Sequence, residues 1–265
     1  MHPATLKLYA AATRRVLGRK TKLGSERRLV FVLGSPRSGT TFLAGAVGSL
    51  PGFVDLGEVA PLKAAIPDLS GRDDAAARIR TILDRVRRLG LVTGLRAVEQ
   101  TPEVAFVLPA ALQAYPQARA LHIVRDGRDV ACSLLERGWL AADRSGQDDA
   151  NLPYGASARF WVEPERSEEF ERAGEAARAG WAWRRYVSAA RAVEDERILQ
   201  LRYETLAVET DRIAAHLDVP AEAVRSALGP AHTQSVGRFR EKLTPEQLAD
   251  VEREAGPLLR ELGYE

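Results

Sequence analysis

Three segments of the chain repeat one grammar: a short apolar run, a turn, then a helical pattern. "RRLVFVLG" turns into "TTFLAGAVGSL", "ARALHIVRDGRD" into "VACSLLERG", and "ERILQLRYE" into "TLAVETDRIAAHLDV". Such runs, bounded by turn residues and alternating with helices, call for a parallel sheet covered on both faces. "GLRAVEQ" is a fourth expected strand, leading into a helix over "TPEVAFVLPAALQAYP" that Pro109 would kink. Arg72 to Arg88 reads as a charged surface helix with Ile79, Ile82, Leu83 and Val86 turned inward. Near the end, Thr244 and Gln247 have the spacing of a capping box that opens a last helix.

A length of 265 residues suits one α/β domain over 1–265, with a helical extension at 1–25. The segment 141–174 is polar and broken by Gly and Pro; a long irregular stretch of this kind is functional or disordered, and a substrate lid is one reading of it. The charge sum of +2, from 38 basic and 36 acidic residues, argues against a nucleic-acid partner but leaves room for a local anion pocket. Cys132 is the only cysteine, which excludes a disulfide framework. His2, His122, His216 and His232 lack ligand spacing, so no metal site is expected. The N-terminus shows no apolar leader or span, so a cytoplasmic protein without a transmembrane segment is expected, and Lys7 to Lys22 reads as a solvated basic helix. The oligomeric state stays open, a homodimer included.

"FVLGSPRSGTTFL" keeps the glycine spacing of a phosphate-binding loop at Gly34 and Gly39, but Thr40 stands where the lysine belongs and the cation sits inside the loop at Arg37. A strand, a glycine turn and a helix start gather backbone N–H groups and a helix dipole around an anion. Arg37 adds a forked cation suited to two oxygens, and Thr40 and Thr41 add hydroxyls. Without the lysine that reaches β- and γ-phosphates, the loop is not expected to hold a triphosphate. The sheet is therefore expected to be P-loop-like, with about five strands flanked by helices.

"SPRSGTTFL" resembles the 5′-phosphosulfate-binding loop of sulfotransferases that use 3′-phosphoadenosine 5′-phosphosulfate (PAPS). "HIVRDGRDVACSLL" is similar to their 3′-phosphate-binding strand and helix, with Arg125 and Ser133 at the ligand positions. "LRYETL" resembles a later strand-end motif, and the tail around Ser235, Gly237, Arg238 and Lys242 is more distantly similar to the nucleotide-covering loop. The resemblance implies a donor site of Pro36, Arg37, Ser38, Gly39, Thr40, Thr41, Arg125, Ser133, Tyr203, Ser235, Arg238 and Lys242, with PAPS as donor, PAP as product and no metal. The region "LPGFVDLGEVAPL" most resembles the tyrosylprotein branch, in which a glutamate after a glycine is the base. That places Glu58 as general base, with Arg37 as catalytic cation and Asp55 as the fallback base. Many relatives carry a lysine just before a "TP" or "DP" pair; here "VEQTPEV" has Gln100.

His122 is expected to be a satisfied interior histidine and Cys132 a buried apolar residue. The acceptor is expected to be a small hydroxylated metabolite, phenol or glycolipid, selected by 59–100 and 139–185. Trp139, Tyr154, Phe160 and Trp161 are candidate contacts, whereas Trp181 and Trp183 read as core. The alternatives are an idle PAPS- or PAP-binding protein, which Gln100 keeps open, and a divergent P-loop kinase or NTPase.

Overall fold

The computed structural model describes residues 29–90, 92, 94–141, 159–229 and 235–264. The expected N-terminal extension, His2, His232, Tyr154 and residues 142–158 of the expected lid fall outside them. Five parallel strands form one sheet in the order β2-β3-β1-β4-β5. They are β1 (Leu29–Leu33), β2 (Phe53–Gly57), β3 (Arg96–Glu99), β4 (Arg119–Val124) and β5 (Ile198–Arg202). The expected α/β class holds, with β2 as the strand that the repeated grammar did not mark.

Alternation along the central strand sorts the two faces. Leu29, Phe31 and Leu33 of β1 pack with α2 (Ala60–Leu69), α3 (Ala75–Leu89) and α4 (Leu108–Ala114). Val30 and Val32 join α1 (Thr40–Ser49), α8 (Thr210–Leu217) and α9 (Ala221–Leu228). A third apolar cluster gathers α5 (Gly127–Leu135), α6 (Ser167–Arg172), α7 (Glu175–Arg191) and α11 (Pro245–Glu261) beside Val124, at the end of β4. A short helix α10 (Phe239–Lys242) precedes α11.

Ile79 and Leu83 are buried on α3, with Ile82 and Val86 packed against the same cluster. Pro109 does not kink a helix. It lies in the first turn of α4, where a missing N–H costs nothing, and the residues before it, Pro102–Val107, form a 3₁₀ helix. The Thr244–Gln247 capping box is present at the start of α11. Trp181 and Trp183 are fully buried, and residues 159–174 lend Trp161 and Phe170 to the same core. Among the described residues no helix is long and apolar enough to cross a membrane.

The strand order sets where a ligand would go. From β1 the chain leaves toward β2 at one edge, and from β4 it leaves toward β5 at the other. β1 and β4 are paired neighbours, so the crevice between their diverging connections opens at their carboxyl ends.

Candidate functional site

The loop after β1 and the turn after β4 meet over that crevice. Arg37 adopts a left-handed backbone, φ 74°, which costs a non-glycine residue on the order of 1–3 kcal/mol. Its Nε donates to the Ser133 hydroxyl at 2.9 Å, and its guanidinium lies 5.3 Å from the centre of the Trp139 ring. Arg125 Nη1 donates to the Arg37 carbonyl at 3.3 Å and Nη2 to the Ser235 carbonyl, with the group 4.7 Å from the Tyr203 ring centre. Tyr203 Oη and Ser235 Oγ share a 3.0 Å hydrogen bond. Five residues expected to serve the nucleotide are thus tied into one cluster drawn from four separate stretches of sequence.

Close packing explains the loop glycines. A Cβ on Gly34 would lie 2.6 Å from the Ile123 carbonyl of β4, and one on Gly39 would lie 2.7 Å from the Tyr203 ring. Gly39 also has φ 95°, a conformation that side-chain-bearing residues rarely adopt. It precedes α1, whose start has no side-chain cap, so its first N–H groups and dipole are available to an anion. The start of α5 differs: Asp126 caps it, accepting from the Arg128 backbone at 2.9 Å.

Two polar atoms here, Ser38 Oγ and Arg125 Nε, are buried with no hydrogen-bond partner among the described residues. An unsatisfied buried donor costs about 1–3 kcal/mol, and an anionic oxygen would satisfy either. Thr40 is buried and Thr41 exposed at the start of α1.

Asp129, one turn into α5, accepts from the backbone of Gly237 at 2.7 Å and of Phe239 at 3.0 Å, fastening the tail segment over the crevice. Arg125 lies 4.0 Å from Asp129. Arg238 turns away to pair with Glu136, and the Lys242 side chain is exposed at the end of α10. Trp183 braces the β4 turn from beneath: its Nε1 donates to the Arg125 carbonyl at 2.9 Å and its ring lies against Gly127. Glu204 Oε1 accepts from the Asp126 backbone at 2.8 Å, and Oε2 accepts from the Tyr264 hydroxyl at 3.0 Å. Tyr264 also donates to the Val124 carbonyl at 3.4 Å, so the far end of the described chain pins the strand that carries Arg125.

A second group of charges gathers at the ends of β2 and β3. Glu58 follows Gly57 and is separated from α2 by Val59, with Asp55 Oδ1 accepting from the Gly57 backbone at 2.8 Å. Asp55, the fallback base, is therefore engaged in shaping that turn. Lys63 Nζ lies 2.7 Å from Glu58 Oε2 and 3.5 Å from Glu103 Oε1, and Tyr186 donates to Glu103 Oε1 at 2.9 Å. Glu99 accepts from the backbones of Thr101 at 2.9 Å and Val59 at 3.5 Å, and burial pushes its carboxyl up to about 7. Gln100 is buried, and its backbone donates to the Gly57 carbonyl at 3.3 Å.

Lys63, Glu99 and Glu103 were not among the expected residues. Lys63 had a legible signal: with Val59, Leu62 and Ile66 it completes an i, i+3, i+4, i+7 stripe, an odd place for a lysine. His122 is interior as expected, and its Nε2 has no partner among the described residues; burial holds its imidazole down at about 4. Cys132 is buried and its thiol is pushed up to about 11 by burial, which makes it unreactive.

No family model and no curated protein sequence matches the chain. Solved structures do. The sulfotransferase domain from the curacin biosynthetic pathway superposes with a TM-score of 0.53, covering 94% of this chain and 99% of its own at 14% identity. Mouse sulfotransferase SULT7A1, solved with PAP, gives 0.52, covering 96% of this chain and 89% of its own at 16% identity. The chain has the sulfotransferase fold. At these identities the likeness speaks for architecture.

Proposed function

We propose that the protein transfers a sulfuryl group from PAPS to a hydroxyl of a small acceptor and releases PAP. The observation that carries this reading is the pair of arginine-bearing turns on adjacent strands, joined through Arg37 and Ser133. A donor phosphorylated at both its 3′ and 5′ positions has two anionic ends, and the crevice offers two different receptors. At the 5′ end, the uncapped start of α1, Ser38 and Arg37 would hold the phosphosulfate. At the 3′ end, Arg125 and Ser133 would hold the phosphate, while Tyr203 and the segment from Ser235 onward border the nucleoside.

In the reaction, Glu58 takes the proton of the acceptor hydroxyl as its oxygen bonds to sulfur. The bond between sulfur and the bridging oxygen breaks, and its electron pair stays on the 5′-phosphate of PAP. Arg37 faces the charge that grows on that oxygen, the kind of fixed donor that stabilises a transition state most. Trp139, packed on Arg37, would offer a phenol or other apolar acceptor an aromatic surface to rest on.

Calorimetric titration of PAP, with ATP and magnesium as the competing ligand, tests the reading. Micromolar PAP binding without metal is expected. ATP binding that needs magnesium, with no PAP affinity, would replace it by a divergent P-loop nucleotide site.

A further inference from the structure

Lys63 belongs to a helix face that is otherwise apolar, and its side chain is only 3% exposed. A lysine at that depth persists only when its charge is matched. Two carboxylates match it, and the way they share it is informative. Glu103 is fully buried and would be expected to hold the ammonium tightly, since attraction grows as water is removed. Yet Glu103 takes its short hydrogen bond from Tyr186, at 2.9 Å, and keeps the ammonium at 3.5 Å. The ammonium instead closes to 2.7 Å on Glu58, whose side chain is 29% exposed. Lys63 therefore leans from the core toward the carboxylate at the surface.

The neighbours of Glu58 give that lean a purpose. Glu103 on the 3₁₀ helix and Asp55 on β2 are acidic, and Glu99 on β3, which burial keeps protonated up to about pH 7, adds a repelling charge only above that. Left to them, the Glu58 carboxylate would resist ionising. Gln100, at the end of β3, brings no charge. We propose that Lys63 is the positioning residue of the proton-accepting carboxylate, clamping Glu58 Oε2 and keeping Glu58 ionised among acidic neighbours. This rests on the sulfotransferase reading for what Glu58 does, but the clamp itself is measurable without turnover.

Lys63→Met alone strands the Glu103 charge in the core, so the test compares Glu103→Gln with Lys63→Met/Glu103→Gln. The readout is the pH midpoint of the Glu58 carboxyl carbon by NMR on uniformly labelled protein, the resonance identified by its loss in Glu58→Gln. The double variant is expected to titrate about one unit or more above Glu103→Gln, with PAP affinity unchanged within a few-fold. Equal midpoints in the two variants would overturn the proposal and leave Lys63 as a counter-ion for Glu103. Absence of PAP binding by the unmodified protein, with the midpoint shift intact, would instead overturn the sulfotransferase reading and the catalytic meaning of the clamp.

Discussion

Arg37 and Ser133 stand 96 positions apart in the chain and meet through a 2.9 Å hydrogen bond. That contact joins the turn after β1 to the helix after β4. Arg37→Ala and Arg125→Ala are each expected to weaken PAP binding roughly 10- to 150-fold, the loss of one hydrogen bond to a charged group. Ser133→Ala should cost less, because its hydroxyl is neutral. Calorimetry on the three variants checks the ranking.

Glu58→Gln keeps the shape of the side chain and removes its basicity. Turnover of PAPS, followed by PAP release, is expected to fall about 10²–10⁴-fold while PAP affinity stays within a few-fold. Unchanged turnover would remove Glu58 as the base.

Gly39→Ala should destabilise the fold and push Tyr203 from its place. Its Cβ would press on Tyr203 at 2.7 Å from a backbone already at φ 95°. A cost of roughly 1–3 kcal/mol is expected, seen as a drop of a few degrees or more in Tm. Gly52→Ala is the control: its φ of 85° carries similar backbone strain, but no atom stands within 4 Å of the added carbon.

Asp129→Ala releases the backbones of Gly237 and Phe239. Hydrogen exchange across 236–240 is expected to quicken at least tenfold, with the amides of β1 and β4 unchanged.

Two buried groups tilt the pH dependence of stability in opposite directions. His122 is held at about 4 against an ordinary 6.5, so the unfolded chain takes a proton there first and stability is lost as pH falls through that window. Glu99 is raised from 4.5 to about 7, so the folded chain keeps its proton longer and stability is lost as pH rises through that range. His122→Leu removes the first effect. Relative to the unmodified protein, it should gain stability as pH is lowered from 7 to 5, measured by urea unfolding at each pH.

The strand-turn-helix units and the two arginine turns were legible because each lies on a short stretch with its own local signal. β2 was not, because Phe53–Gly57 contains Asp55, whose carboxylate bonds the Gly57 backbone and makes the stretch read as a loop. The core placement of Trp181 and Trp183 followed from their helical spacing. The partnership of Lys63 with Glu58 and Glu103 did not, since Glu103 reaches it across 40 residues from a 3₁₀ helix that the sequence presents as an ordinary α-helix. His122 was placed correctly in the interior, but that its Nε2 meets no partner among the described residues depends on what surrounds it, which no local pattern records.

Tyr264 closes on the strand of Arg125 from 140 residues away. On a ribosome adding about 5–20 residues per second, β4 would wait roughly 7–28 seconds for that contact. The turn that carries Arg125 is thus braced by a contact that can form only long after its own strand has been made.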